Sequence, residues 1–413
     1  MVSSLSPIII VGAGPAGLFA AETLAQAGLP VAVYDRMPSP GRKFLLAGRG
    51  GLNLTHSEPR QTFLPRYGEA APVLAPLLES FTPQALSAWA ASLGEPTFIG
   101  SSGRVFPKSF KATSLLRAWL GRLNTLGVEL HPRHTLVALE RDGSARFDTP
   151  NGVVSTPPGL ILLALGGASW PRMGSNGAWV ELLAPLGIPI APLRPANSGF
   201  DIAWSPSFAA RNEGQPLKRI ALTLTDQTVN GEAIVTSHGL EGGVVYAIAA
   251  KLRDTIARSG PTTLTLDLRP DLSREQLAAR LAKGRAGDSL ANRLRKIGLA
   301  GAAIGLMREA HGAVPSAPSE LSQAIKSVPL TVTGARPIAR AISTAGGVML
   351  DAIAEDQSLK AAPDIFVAGE MTDWEAPTGG YLLQATFATG FAAACGLAAR
   401  RGVLISQRSS ADW

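Results

Sequence analysis

Apolar and polar positions follow two rhythms along this chain, and the change between them divides it. Ile8-Ile9-Ile10-Val11 is an apolar, β-branched run with no polar face, which predicts a strand buried on both sides. A helical run to Ala27 follows, and then a second buried run, Val31–Tyr34, closed by Asp35. Gln84–Leu93 and Ser114–Leu126 place apolar residues three and four apart, which predicts helices. Val128–His131 and Thr135–Leu139 read as strands, Leu160–Ala168 as a buried strand ending in glycines, and Ala178–Leu186 as a helix. Near Pro192 the rhythm changes. Ile220-Ala-Leu-Thr-Leu-Thr and Thr262-Thr-Leu-Thr-Leu-Asp alternate, the pattern of antiparallel strands with one wet face. Ser273 with Gln276 is a capping box that opens a helical stretch running to about Lys326. Buried-strand character returns at Asp364–Val367, followed by a long apolar helix.

The turn after the first strand reads Gly12-Ala13-Gly14-Pro15-Ala16-Gly17. Gly12 permits the tight turn, Gly14 lets backbone approach a pyrophosphate, and Gly17 lets the helix lie close on the strand. Pro15 suits a first helical turn, and Gly28 suits a helix end. Asp35 stands 21 positions after Gly14, the spacing that brings a carboxylate to a ribose 2′-OH. Together these predict an adenine-dinucleotide site made of Gly12, Gly14, Pro15, Ala16, Gly17 and Asp35. Arg36 leaves room for a 2′-phosphate.

At 413 residues, two or three domains are expected. Cys395 is the single cysteine, so there is no disulfide framework, cysteine zinc cluster or redox dithiol, and electron chemistry must come from a bound cofactor. Its apolar helical surroundings predict a buried small residue. No metal site is expected, because His131 and His134 have no carboxylate or cysteine partner at ligand spacing. Met1–Pro7 carries no Lys or Arg, and the apolar stretch beyond it is broken by glycines, Glu22 and Gln26, unlike a signal peptide. No stretch reaches the uncharged length of a membrane span, so the expectation is a cytoplasmic protein without membrane contact. The net charge of +7 is read as a solvated surface. The basic cluster Lys283, Arg285, Arg293, Arg295 and Lys296 is read as a helix face, with nucleic acid the minority alternative.

Gly41-Arg42-Lys43, Gly48, Gly50-Gly51 and Asn53-Leu54-Thr55 form an unusual segment, a glycine turn flanked by basic residues, with Arg42, Lys43 and Arg49 able to face phosphates. This run resembles a signature of the HI0933-like (YhiN/BaiN-type) flavoproteins, FAD-binding NAD(P)/FAD-dependent oxidoreductases. Many members carry Arg-Cys-Asn-Leu-Thr there. This chain has Gly51-Leu52-Asn53-Leu54-Thr55, which suggests a separate subgroup. The resemblance extends to Thr344-Ala-Gly-Gly-Val348 and covers nearly the full length. It implies that Gly166 and Gly167 lie beside the first glycine loop. It also implies that Gly369-Glu370 holds the ribityl chain, and that Thr378-Gly379-Gly380-Tyr381 faces the flavin pyrimidine edge. Val137 completes the expected cofactor contacts. Gly103–Lys108 corresponds to a segment near the flavin-side cavity, where Arg104 and Lys108 could attract an anionic substrate or a nicotinamide phosphate, or be plain loop charges. Thr236–Gly243 resembles an element that makes His238 the candidate acid–base residue, with a hydrogen-bonded loop histidine as the alternative.

The expected fold is α/β: a Rossmann-type FAD-binding domain (three-layer ββα) with an inserted β-rich subdomain and a helical subdomain. The expected parts are residues 1–190 with 336–413, residues 191–270 with 327–335, and residues 271–326. The expected activity is hydride transfer between NAD(P)H, bound transiently, and a small unsaturated or carbonyl acceptor. Alternatives are a flavin-dependent nucleic-acid-modifying enzyme and a non-catalytic flavin redox sensor. A hydroxylating monooxygenase is a weaker option.

Overall fold

The structure, a computed structural model, describes residues 6–284 and 287–406. These form two units: residues up to Arg194 together with those from Ser343, and the intervening Pro195–Ile342. Arg285 of the basic cluster lies outside the described residues.

The first unit is built on a six-stranded sheet. Strand β1 (Ile8–Val11) is central. The order across the sheet is Ser358–Leu359, Ala362–Val367, Ile161–Leu163, β1, β2 (Val31–Asp35) and Glu129–Pro132. All pairings are parallel except the Ser358–Leu359 edge. The all-apolar strands have a direct cause. Ile8 and Ile10 enter a cluster with helix α1 (Pro15–Gln26) and the C-terminal helix Tyr381–Arg400. Ile9 and Val11 enter another with Leu136, Ala145 and Phe147 of the antiparallel sheet Thr135–Leu139, Ala145–Thr149 and Gly152–Thr156. One face carries helices and the other a small sheet, giving the three layers.

Helix α1 and the C-terminal helix meet closely. A Cβ at Gly390 would stand 2.6 Å from the Ala16 carbonyl oxygen. Below that crossing, Phe19 meets Phe81 at 4.7 Å and Phe387 at 5.0 Å between ring centroids. Glu22 lies on the buried face of α1, wholly out of solvent. Its carboxylate accepts from Trp89 Nε1 at 2.9 Å and pairs with Arg122 at 3.0 Å.

Several local expectations change. Arg42–Ala47, which carries the first basic pair flanking the glycine turn, forms a short helix, α2, between Gly41 and Gly48. The strand expected over Leu160–Ala168 spans only Ile161–Leu163. The helix Tyr381–Arg400 is long and apolar enough to span a membrane, contrary to the expectation of no such stretch. Its apolar window is 67% buried inside the protein, as a core helix would be. Cys395 on that helix is half-buried, not buried. His131 and His134 pack on Tyr34, His131 stacked at 4.6 Å between centroids.

The second unit is a closed six-stranded barrel, in the order Phe200–Ile202, Gly239–Glu241, Gln227–Val235, Pro216–Leu224, Thr262–Asp267 and Val328–Ala335. Leu222, Val235, Leu264 and Val332 of the barrel share one core with Leu277, Leu294, Leu306 and Ile325 of the helices. The β-rich and helical segments expected as separate subdomains therefore form one unit. Ser273 and Gln276 make the reciprocal capping box. Within the basic cluster, Lys296 pairs with Asp288, while Arg293 and Arg295 bond Ser316 O and Asn292 Oδ1.

Candidate functional site

The glycine loop sits at the C-terminal end of β1. Gly12 has φ +109°, and a Cβ there would overlap the Ala164 carbonyl. A Cβ on Gly17 would overlap the Gly12 carbonyl. Gly14 differs: it has φ −84°, and a Cβ would meet nothing within 4 Å. Two glycines are thus required by the fold, and the third guards an empty space. Helix α1 starts there at Pro15 with no side-chain cap, so its positive end is open to an anion.

The other expected segments converge on this loop. A Cβ on Gly369 would come within 3.0 Å of Ala16 Cβ. A Cβ on Gly167 would overlap Thr344, whose hydroxyl accepts from Ala168 N at 2.8 Å. Gly380, at φ +99°, lies so near Thr55 that a Cβ would be 2.5 Å from its backbone. Gly166, Gly51 and Gly379 also have positive φ. Glycine is therefore needed where the Gly369-Glu370 turn meets the start of α1, where the Gly166-Gly167 turn meets Thr344 and where the Gly379-Gly380 turn meets Thr55.

Some side chains are placed differently from expectation. Lys43 is engaged within the protein. Its Nζ lies 2.6 Å from Glu370 Oε2 and 2.6 Å from Ser169 Oγ. Glu370 Oε1 accepts from Thr344 N at 2.9 Å, so this carboxylate ties three segments together rather than standing free for a ribityl chain. The two Asp35 oxygens accept from Ala13 N at 2.6 Å and Met37 N at 2.7 Å, which ties the end of β2 to the glycine loop. Burial raises the Asp35 pKa, against those hydrogen bonds and the nearby Arg36 and Arg42 charges. Arg36 is exposed. Val137 is not gathered with the loops. It is 43% exposed and lines an open cavity of about 750 Å³ with Arg141, Leu182 and Leu186. His238 belongs to the second unit, in the turn before Gly239. Its N–H bonds Thr236 Oγ1, its carbonyl accepts from Ile202 N at 2.8 Å, and its imidazole is exposed.

Tyr381 is held from the side. Its hydroxyl donates to Glu58 Oε2 at 2.8 Å, its ring stacks on His56 at 5.3 Å, and its carbonyl accepts from Tyr67 at 2.8 Å. Arg66 pairs with Glu58 at 2.5 Å. Sequence reasoning missed this brace; the available signal was two charges, Glu58 and Arg66, set around Phe63 and Tyr67. Burial pushes the Glu58 pKa up, but hydrogen bonds from Arg66 and Tyr381 outweigh it, and the net shift is below the ordinary 4.5. A lowered carboxyl stabilises the fold above pH 4.5, and that contribution is lost as pH falls through the folded value. The pair is partly exposed, so the loss is about 0.5–1 kcal/mol. Urea titrations from about pH 6 down to about pH 3 should show that loss in the wild type and not in Glu58→Gln.

The site fits a dinucleotide. Arg42 Nε, Asn53 Oδ1 and Thr55 Oγ1 are buried without a hydrogen-bond partner, all within one segment. Buried polar atoms are seldom left so, and a polar ligand would satisfy them. Over residues 6–396 the chain matches the model of the HI0933-like protein Rossmann domain.

The chain belongs to the HI0933-like family.

As an HI0933-like protein it is an enzyme of a flavoprotein oxidoreductase family, with an FAD-binding Rossmann fold carrying a β-rich insertion. Among relatives, a 3-dehydro-bile acid delta(4,6)-reductase of Clostridium scindens is 24% identical, over 94% of this chain and 98% of that one. A ribosomal RNA dihydrouridine synthase of Haemophilus influenzae is 25% identical over 60% of this chain, and the match spans only 62% of the synthase. Two solved structures share the fold. They are a flavocytochrome c3 fumarate reductase (TM-score 0.52, 15% identity, 96% of this chain and 78% of that one) and the 3-ketosteroid delta1-dehydrogenase of Sterolibacterium denitrificans (TM-score 0.53, 13% identity, 95% and 99%).

Proposed function

We propose that this HI0933-like protein is an FAD-dependent reductase that uses NAD(P)H to saturate a carbon–carbon double bond conjugated to a carbonyl in a small molecule. The observation that carries the reading is the trio of unpartnered buried atoms in the Gly41–Thr55 segment, which bonds the glycine loop through Gly41 N and Ala13 O, together with the clear space at Gly14. Gly12–Gly17 and Arg42 would hold the pyrophosphate, Asn53 and Thr55 the polar groups between it and the ring, and Gly379-Gly380 the pyrimidine edge. Bound there, FAD would supply the relay for one hydride, two electrons carried with one proton. The chain's own work is to position it and to keep it in place. The Lys43–Glu370 pair and the Glu58–Tyr381 brace do this by locking the turns around it. The near full-length relative is named for a double-bond reduction, and the dihydrouridine synthases carry out the same bond change on a pyrimidine. In balance, hydride adds to the β-carbon, a proton adds to the α-carbon, and NAD(P)H leaves as NAD(P)⁺.

A second reading, reduction of uridine in RNA, is favoured by the synthase relatives and by the charge of +7. The test is anaerobic turnover of the FAD-loaded enzyme with NADH or NADPH and a panel of cyclic enones, against unmodified ribosomal RNA. Nicotinamide oxidation matched by saturated enone supports the small-molecule reading. Dihydrouridine formation with idle enones would move the assignment to RNA.

A further inference from the structure

The chain carries one G-x-G-x-x-G loop, and the FAD takes it. A nicotinamide donor therefore needs a place that is not a second Rossmann loop. The structure offers one beside the Gly41–Thr55 segment. In the hairpin of Thr97–Ile99 and Arg104–Pro107, Phe98 pairs directly with Phe106, so both rings stand on one face. Phe110 joins them, its ring 5.0 Å from Phe98 and 5.5 Å from Phe106. Phe110 holds φ +58°, a left-handed conformation that a bulky residue rarely adopts, and stays 49% exposed. Strain there sets an aromatic ring in water instead of in a core. The ring also reaches the flavin segment: a Cβ on Gly51 would lie 3.2 Å from Phe110 Cδ1.

The same face carries charge. Arg104 lies two residues before Phe106 on its strand, and Lys108 follows two after it. Both are exposed, and neither makes an ion pair among the described residues. Aromatic faces interleaved with unpaired cations suit a ligand with flat rings and phosphates, since the rings stack and the phosphates take the cations.

We propose that reduced nicotinamide dinucleotide docks on this face, its rings against Phe98, Phe106 and Phe110 and its phosphates on Arg104 and Lys108. The proposal rests on the reading above that NAD(P)H is the donor. The nicotinamide C4 gives up a hydride and becomes the oxidised pyridinium. The FAD accepts that hydride, and solvent supplies the further proton.

The test uses the FAD-loaded enzyme under anaerobic rapid mixing, with NADPH and NADH as probes. In R104Q/K108Q and in F110A the apparent Kd for NADPH should rise about tenfold or more, while the limiting rate of flavin reduction and the bound FAD stay unchanged. A larger rise for NADPH than for NADH supports docking with the 2′-phosphate on the cations; an equal rise supports docking through the pyrophosphate. An unchanged Kd in both variants overturns the proposal. So does a shift confined to the KM of the enone, which would assign the face to substrate. If neither nicotinamide reduces the wild-type flavin the proposal fails, whereas light-reduced enzyme that still saturates an enone would keep the reductase reading.

Discussion

Gly14→Val yields a folded protein that has lost FAD. The residue sits in ordinary backbone space at φ −84°, and its Cβ direction is clear of protein, so the fold has no reason to reject a side chain there. The space it fills is the one a pyrophosphate would occupy at the open end of α1. FAD affinity should fall at least about a hundredfold, or about 2.7 kcal/mol, with the far-ultraviolet spectrum unchanged. Gly12→Ala and Gly17→Ala are the contrasting controls. Each drives a Cβ into a backbone carbonyl, so each should lower the yield of folded protein with or without FAD. If Gly14→Val kept wild-type FAD affinity, measured by fluorescence titration of the apo-protein, the loop would not hold the pyrophosphate.

Arg122→Met should produce the largest loss of stability, about 3–5 kcal/mol, because it strands a fully buried carboxylate. Glu22 has no solvent contact and, among the described residues, retains Trp89 and Gln26 once the guanidinium is gone. The Arg122 guanidinium also donates to the hydroxyl and the carbonyl of Ser92, and the methionine side chain can make neither hydrogen bond. Replacing both partners, as Glu22→Leu with Arg122→Met, should recover most of the loss, since a packed apolar pair has no charge to strand. Urea midpoints of the two variants decide it. Equal midpoints would mean that the pair, and not the stranded charge, carries the energy.

The framework was legible because its signals are local. The apolar run at Ile8–Val11, the glycine spacing of Gly12–Gly17 and the Ser273 capping box each lie within a few residues, and each formed as expected. Pairings between distant residues were not legible. Lys43 and Glu370 are 327 positions apart, and nothing near either residue announces the other. The same holds for Tyr381 and Glu58, 323 positions apart. Residue chemistry offered a phosphate contact for Lys43, and motif resemblance offered flavin contacts for Glu370 and Tyr381. The fold pairs Lys43 with Glu370 and Tyr381 with Glu58, as struts for the glycine turns. The two expected insertions form one unit because helices such as Arg274–Ala282 have no core of their own and share the barrel's. Strained Phe110 is invisible in sequence, since no propensity marks a phenylalanine at positive φ.

The most direct test of the central claim is the flavin content of the purified protein, read from the visible spectrum and from the FAD released on denaturation. The glycine loop, the three unpartnered atoms and the locked turns predict about one FAD per chain, or restoration to that level when apo-protein is incubated with FAD. A folded, colourless protein that releases no FAD and takes none up would contradict it.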